Sequence, residues 1–232
     1  MSVLVVIAHP DDEVLGAGGT CHSLARQGVE INLCVMSGSV DARKFRPELP
    51  DLHNDILAAT LRIGIRDFVL GGFDNVKMNA VPHLDLVQFI EANILKYRPE
   101  YIFTHHPSDL NNDHQHTALA CMAAARLFQR RSDVPRIRGL YAMEILSSTD
   151  WAFPGHSVPF QPTTFHEIGE EGVIAKIEAL AAYRGVSRAY PHPRSPEALR
   201  GQAATRGAQA GLFYAEAFQL LMGDLPLGGR SS

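Results

Sequence analysis

Two textures alternate along the 232-residue chain. One is a short apolar, β-branched run, first met as Val3-Leu4-Val5-Val6-Ile7-Ala8. The other is a longer segment with apolar residues at helical spacing. Runs of four to eight apolar residues bounded by turn residues read as strands buried on both faces. They predict strands near residues 3–8, 29–36, 67–70, 100–104 and 139–145. Helical spacing predicts helices over 14–26, 51–63, 82–97, 115–130, 170–183 and 197–209, with a last apolar element at 213–221. Gly28 and Gly64 supply helix stops, and Pro82 suits a first helical turn. Residues 147–165 break the pattern with a proline-rich, aromatic loop, the texture of a lid or a substrate wall.

Strands alternating with helices imply an α/β fold, a doubly wound, mostly parallel sheet with helices on both faces. Residues 1–224 read as one domain with a frayed tail at 225–232. In the common strand order 3-2-1-4-5, strands one and four are neighbours, and ligands bind outside their carboxyl ends, where the winding reverses. Both of those ends are rich in polar chemistry. Pro10 has no N–H to donate, so strand one stops near His9, and His9-Pro10-Asp11-Asp12-Glu13 follows it. After strand four comes His105-His106-Pro107-Ser108-Asp109-Leu110-Asn111-Asn112-Asp113-His114-Gln115-His116. The topology brings the two clusters together.

His9, Asp12 and one histidine of the second cluster would make a three-ligand divalent-metal site with an open position. Spacing alone leaves the choice among His105, His106, His114 and His116 open, although His114 and His116, two apart on a helix, point to different sides. A carboxylate beside such a site, Asp11, is a natural general base. Taken singly, Asp11, Asp12 and Asp113 each read better as helix caps, whereas the two clusters together at adjacent strand ends favour a metal site. Gly16-Ala17-Gly18-Gly19 matches neither common phosphate-loop pattern and predicts close backbone packing beneath the site.

Composition narrows the picture. The net charge of -4 and pI near 6.2 do not suit a nucleic-acid backbone binder. Three cysteines without a CxxC spacing suit a reducing compartment and core positions. No apolar run approaches the roughly twenty residues of a membrane span. The expectation is a soluble cytoplasmic protein, not membrane-bound, acting on a small molecule, with homo-oligomer formation left open.

Ala8-His9-Pro10-Asp11-Asp12-Glu13, together with Asp113-His114, resembles the PIG-L/LmbE family of zinc-dependent de-N-acetylases. Residues 109–114, 144–149 and 191–195 resemble its bacterial branch acting on sugars and glycoconjugates. The resemblance implies a Rossmann-like fold, one Zn2+ per chain held by His9, Asp12 and His114, and Asp11 as general base. Some members carry a histidine three positions before the metal histidine, where this chain has Asn111. His192 is the candidate to replace it, as oxyanion partner or general acid. Asp113 is expected to orient an imidazole from the second layer, with Arg43, Trp151 and Arg194 as candidate substrate contacts. The implied function is hydrolysis of an N-acetylhexosamine amide, in a nucleotide sugar, glycan precursor or glycosylated metabolite. The competing readings are an amidase for another N-acyl compound, such as a mercapturic-type conjugate, and a non-catalytic binding module.

Overall fold

The computed structural model describes residues 1–39, 48–153, 155 and 158–224. Strand β1 (Ser2–Ile7) lies in the middle of a seven-stranded sheet. It pairs in parallel with β2 (Glu30–Val35) on one side and β4 (Tyr101–Thr104) on the other, in the registers Val5↔Leu33 and Val5↔Phe103. β3 (Asp67–Leu70) extends the sheet beyond β2, and β5 (Gly139–Met143) beyond β4, both in parallel. This is the expected 3-2-1-4-5 order, with the reversal between β1 and β4.

Alternate residues of β1 enter two apolar layers, which is why the run is apolar throughout. Val3, Val5 and Ile7 face α1 (Asp12–Arg26), α2 (Leu49–Ile63) and α5 (Gly169–Ala182). Leu4, Val6 and Ala8 face α3 (His83–Tyr97) and α4 (Asn112–Ala124). Each fully buried Val, Leu or Ile contributes about 1.5–3 kcal/mol. Cys21, Cys34 and Cys121 are buried free thiols. Among the described residues, no helix is long and apolar enough to cross a membrane.

Two features depart from the sequence reading. The sheet continues past β5 through antiparallel β7 (Ala215–Gly223) to β6 (Thr164–Glu167), giving the order β3-β2-β1-β4-β5-β7-β6. The last apolar element is therefore a strand between two earlier ones, and α6 (Pro196–Ala210) packs on it. The helix predicted over 115–130 begins earlier, at Asn112, and ends at Ala124, followed by a 3-10 turn at Leu127–Gln129.

Helix α1 is broken at Ala17 (φ -146°, ψ 18°). A break strands backbone groups that need partners. Glu216 of β7 accepts the N–H groups of Gly19 and Thr20, and Lys176 of α5 donates to the Leu15 carbonyl and to Glu216. The glycines let α1 approach its neighbours, as expected. A Cβ on Gly16 would stand 2.7 Å from Ile145 Cδ1, and one on Gly19 2.6 Å from Ile168 Cδ1. α1 thereby brings its first turn beneath the ends of β1 and β4.

Candidate active site

Pro10 ends the apolar run, and the chain turns straight into α1. His9 is thus at the strand end and Asp12 in the first helical turn. Three donor atoms converge there. His9 Nδ1 lies 3.3 Å from His114 Nε2, and Asp12 Oδ2 lies 3.6 Å from the former and 3.2 Å from the latter. All three residues are buried. Ligand atoms about 2.0–2.1 Å from a tetrahedral zinc lie roughly 3.3–3.4 Å from one another. The donor set therefore fits one such ion.

The outer nitrogens of both imidazoles meet carboxylates, the support usual behind metal-binding histidines. Asp113 Oδ2 lies 2.8 Å from His9 Nε2 and also accepts the Val76 N–H, while its other oxygen accepts the Met78 N–H. Asp109 Oδ2 lies 3.2 Å from His114 Nδ1. Asp109 is itself held by the Ser148 hydroxyl, by the Thr149 hydroxyl at 2.7 Å and by the Asn111 N–H at 2.8 Å. Capping of α4 falls to Asn111, which accepts the Asp113 N–H, so Asp113 is released from the capping role.

Electrostatics follow from this packing. Burial disfavours charge on Asp12, but the facing His114 imidazolium, with hydrogen bonds from His114 and His9, holds its carboxyl well below the usual range. Burial likewise opposes charge on His114, yet Asp12 and Asp109 raise it to about 10. His105 is pushed down to about 3 by burial, reinforced by His114, and stays neutral. Its Nε2 accepts the Ala8 N–H at 2.8 Å, and its ring stacks on His114 with centroids 3.9 Å apart. His105, Asp109 and His114 form a second group of convergent donors. There, however, Asp109 is engaged by two hydroxyls and His105 Nε2 by the backbone.

Asp11 has φ 102° and ψ -23°, a conformation rare for a residue with a side chain and costing about 1–3 kcal/mol. It makes no side-chain cap to α1. Its N–H donates to Glu13 Oε2 at 3.1 Å, and its Oδ2 lies 3.3 Å from Arg194 Nη1. Arg194 Nε donates to Ser147 Oγ at 2.8 Å. Glu13 is thus fully buried between the Asp11 backbone and the Tyr183 side chain.

Above these groups opens a cleft of about 200 Å3, to which Asn75, Val76, Asn111 and Ser147 add their side chains. The expected residues His9, Asp11, Asp12, His114 and Arg194 all line it, with Asp113 directly behind. His192 is not among the residues that line this cleft but lies beside Arg194, which does line it. Its Nδ1 accepts the Arg194 N–H at 3.0 Å, which leaves the ring proton on Nε2. Burial and the Arg194 and Arg188 charges keep it below the usual histidine value. Trp151, half exposed, stands edge-on to His192 with centroids 6.1 Å apart. His106 serves the long loop instead: it bonds Gln219 at 3.1 Å and packs on Phe160. His116 belongs to neither donor group. Arg43 lies outside the described residues. Sequence reasoning missed Asp109 as the partner of His114, with Ser148 and Thr149 behind it, because a loop carries no periodicity to reveal such a contact.

Residues 4–125 match the model of the PIG-L family, described as GlcNAc-PI de-N-acetylase. The chain is 27% identical to a probable N-acetyl-alpha-D-glucosaminyl L-malate deacetylase 2 of Bacillus cereus, over 81% of this chain and 84% of that protein. The fold is similar to that of an N,N'-diacetylchitobiose deacetylase from Pyrococcus horikoshii (18% identity, TM-score 0.73, 95% of this chain and 83% of the other). It is also similar to that of GalB, the 4-carboxy-2-hydroxymuconate hydratase of Pseudomonas putida KT2440 (20% identity, TM-score 0.78, 99% of each chain). At these identities the two structures speak for the fold alone, and they show that it carries more than one reaction. The matched segment holds His9, Asp11, Asp12, Asp109, Asp113 and His114 together, and by that match the chain belongs to the PIG-L family of de-N-acetylases.

Proposed function

We propose that this enzyme is a zinc-dependent hydrolase that removes the acetyl group from an N-acetylhexosamine unit of a small conjugate. The observation that carries the reading is the set of three buried donor atoms 3.2–3.6 Å apart, with the strained Asp11 carboxylate beside them. In this reading His9, Asp12 and His114 hold the ion. A zinc ion supplies Lewis acidity, which polarises the amide carbonyl and eases deprotonation of water. Asp11 takes the proton as water oxygen bonds to the carbonyl carbon. The carbon–nitrogen bond then breaks, and Asp11 returns the proton to the leaving amine, so the products are acetate and a free amino sugar. His192 donates its Nε2–H to the carbonyl oxygen as negative charge develops there. Arg194 and Trp151 bind the substrate, the former by hydroxyl or carboxylate contacts and the latter by stacking on a sugar face. The sugar reading draws on the Bacillus cereus relative, whose name specifies an N-acetylglucosaminyl conjugate.

The test is acetate release by the zinc-loaded protein from N-acetylglucosamine and its hydroxy-acid, lipid and nucleotide conjugates. N-acetylated amino acids, a mercapturate and an unsaturated hydroxy-diacid serve as comparisons. Acetate from at least one sugar conjugate is expected. Release only from the N-acyl amino compounds would overturn the sugar assignment. Hydration of the diacid without any amide cleavage would overturn the reaction itself.

A further inference from the structure

The backbone of Asp11 is held from a distance. Its φ of 102° is one that glycine adopts freely and aspartate does not. The partner of its N–H is the Glu13 Oε2 atom at 3.1 Å, and the other oxygen of the same carboxyl, Oε1, accepts the Tyr183 hydroxyl at 2.5 Å. Glu13 is fully buried, and Tyr183 is 1% exposed. Tyr183 immediately follows α5, whose packing against α1 fixes where the ring stands. One end of the Glu13 carboxyl is therefore tied to the strained backbone and the other to a different helix. Without Tyr183, Glu13 keeps its backbone contacts but loses the side-chain partner that ties its carboxyl to another element.

We infer that Tyr183 is a positioning residue for the reaction. Acting through Glu13, it keeps Asp11 in the left-handed conformation that aims its carboxylate into the cleft. The inference rests on the reading of Asp11 as the group that takes the proton. It differs from a packing role in one respect: the ring alone would suffice for packing, whereas positioning needs the hydroxyl.

Tyr183→Phe removes that oxygen and keeps the ring. In the zinc-loaded protein, with the best N-acetylglucosamine conjugate as substrate, Tyr183→Phe should lower kcat roughly tenfold, as expected for a displaced catalytic group. KM should stay within about twofold and zinc content should not change, since the cleft and the donor atoms are untouched. Glu13→Gln, which still offers an oxygen to the Asp11 N–H, should retain more activity than Glu13→Ala. In the Glu13→Ala background, Tyr183→Phe should cost almost nothing further, because the two act as one unit. A measurement independent of substrate is amide hydrogen exchange at Asp11, which should speed up in Tyr183→Phe while the core amides of β1 keep their protection. Wild-type kcat together with unchanged Asp11 exchange in Tyr183→Phe would overturn the inference, as would full additivity with Glu13→Ala. If Tyr183→Phe does not fold, the Glu13 series decides: equal kcat in Glu13→Gln and Glu13→Ala overturns the relay. Full turnover in Asp11→Ala would instead sink the parent reading of Asp11, whatever Tyr183→Phe does.

Discussion

Two polar networks are buried in this molecule, and they resolve the cost of burial in opposite ways. Behind the break in α1, Lys176 Nζ sits 2.6 Å from Glu216 Oε1. Every other contact of the pair closes on nearby backbone, at Leu15, Gly19 and Thr20. One cation meets one anion, and no donor is left facing a second donor. At the strand ends, by contrast, His9 Nδ1 and His114 Nε2 face each other across 3.3 Å with Asp12 beside them. The carboxylates that could neutralise these imidazoles sit mostly behind them, at their far nitrogens. A network closed on itself is architecture, while one whose lone pairs converge on a common point is arranged around something added later.

The contrast can be attacked from both sides. Asp11→Ala should lose about 10²–10⁴-fold in turnover yet keep one zinc per chain, measured by acetate release and metal analysis. Retained turnover would remove the proton-transfer role. Lys176→Met leaves Glu216 buried without its cation and should cost about 3–5 kcal/mol of stability, read from urea unfolding. Adding Glu216→Leu should recover only a part of that loss, because it removes the unpaired charge but leaves the Gly19 and Thr20 N–H groups without their acceptor. No loss in the single variant would mean that the pair is not what closes the α1 break. Asp109→Asn should weaken zinc binding about 10–100-fold, measured by chelator competition, because His114 loses the carboxylate that orients it. An unchanged affinity would reduce Asp109 to a partner of Ser148 and Thr149.

The smallest effect is a matter of protons. In the metal-free protein, Asp12 and Asp109 overcome burial and raise His114 to about 10. This folded value lies above the unfolded one. The resulting stabilisation is present in full below the ordinary histidine pKa and is lost as pH rises through about 10. A metal must displace the same proton, and against burial His9 is also raised above its ordinary value by Asp113 and Asp12, so zinc uptake at neutral pH should release at least one proton per ion and tighten as pH rises. Calorimetry in two buffers of different ionisation enthalpy measures the release. Zinc binding with no proton release would show that His114 is not displaced from its imidazolium form.

The parallel half of the sheet was legible because its strands are nearly pure apolar runs punctuated by Gly and Pro, and β1 with β4 sets the switch point. The antiparallel end was not. β6 reads Thr-Phe-His-Glu, and β7 carries Glu216 and Gln219 in an otherwise apolar stretch, so only tertiary pairing decides that both are strands. The site divides along the same line. His9, Asp11 and Asp12 stand in one short string at a predicted strand end, and the fold brings His114 to them. Asp109 and Tyr183 act through loop and helix-end contacts, for which sequence has no spacing rule. Arg194 was legible only as a cation in a rigid loop. Its contacts with Asp11 and Ser147 needed coordinates.

The insertion of β7 between β5 and β6 has a consequence for how the chain is made. As synthesis proceeds from the N-terminus, β5 keeps an open hydrogen-bonding edge until residues 215–223 emerge, some seventy residues later. The sheet is then closed from within, like a keystone set last. Deletions within 215–223 should therefore split β6 from the sheet and deprive Lys176 of its Glu216 partner.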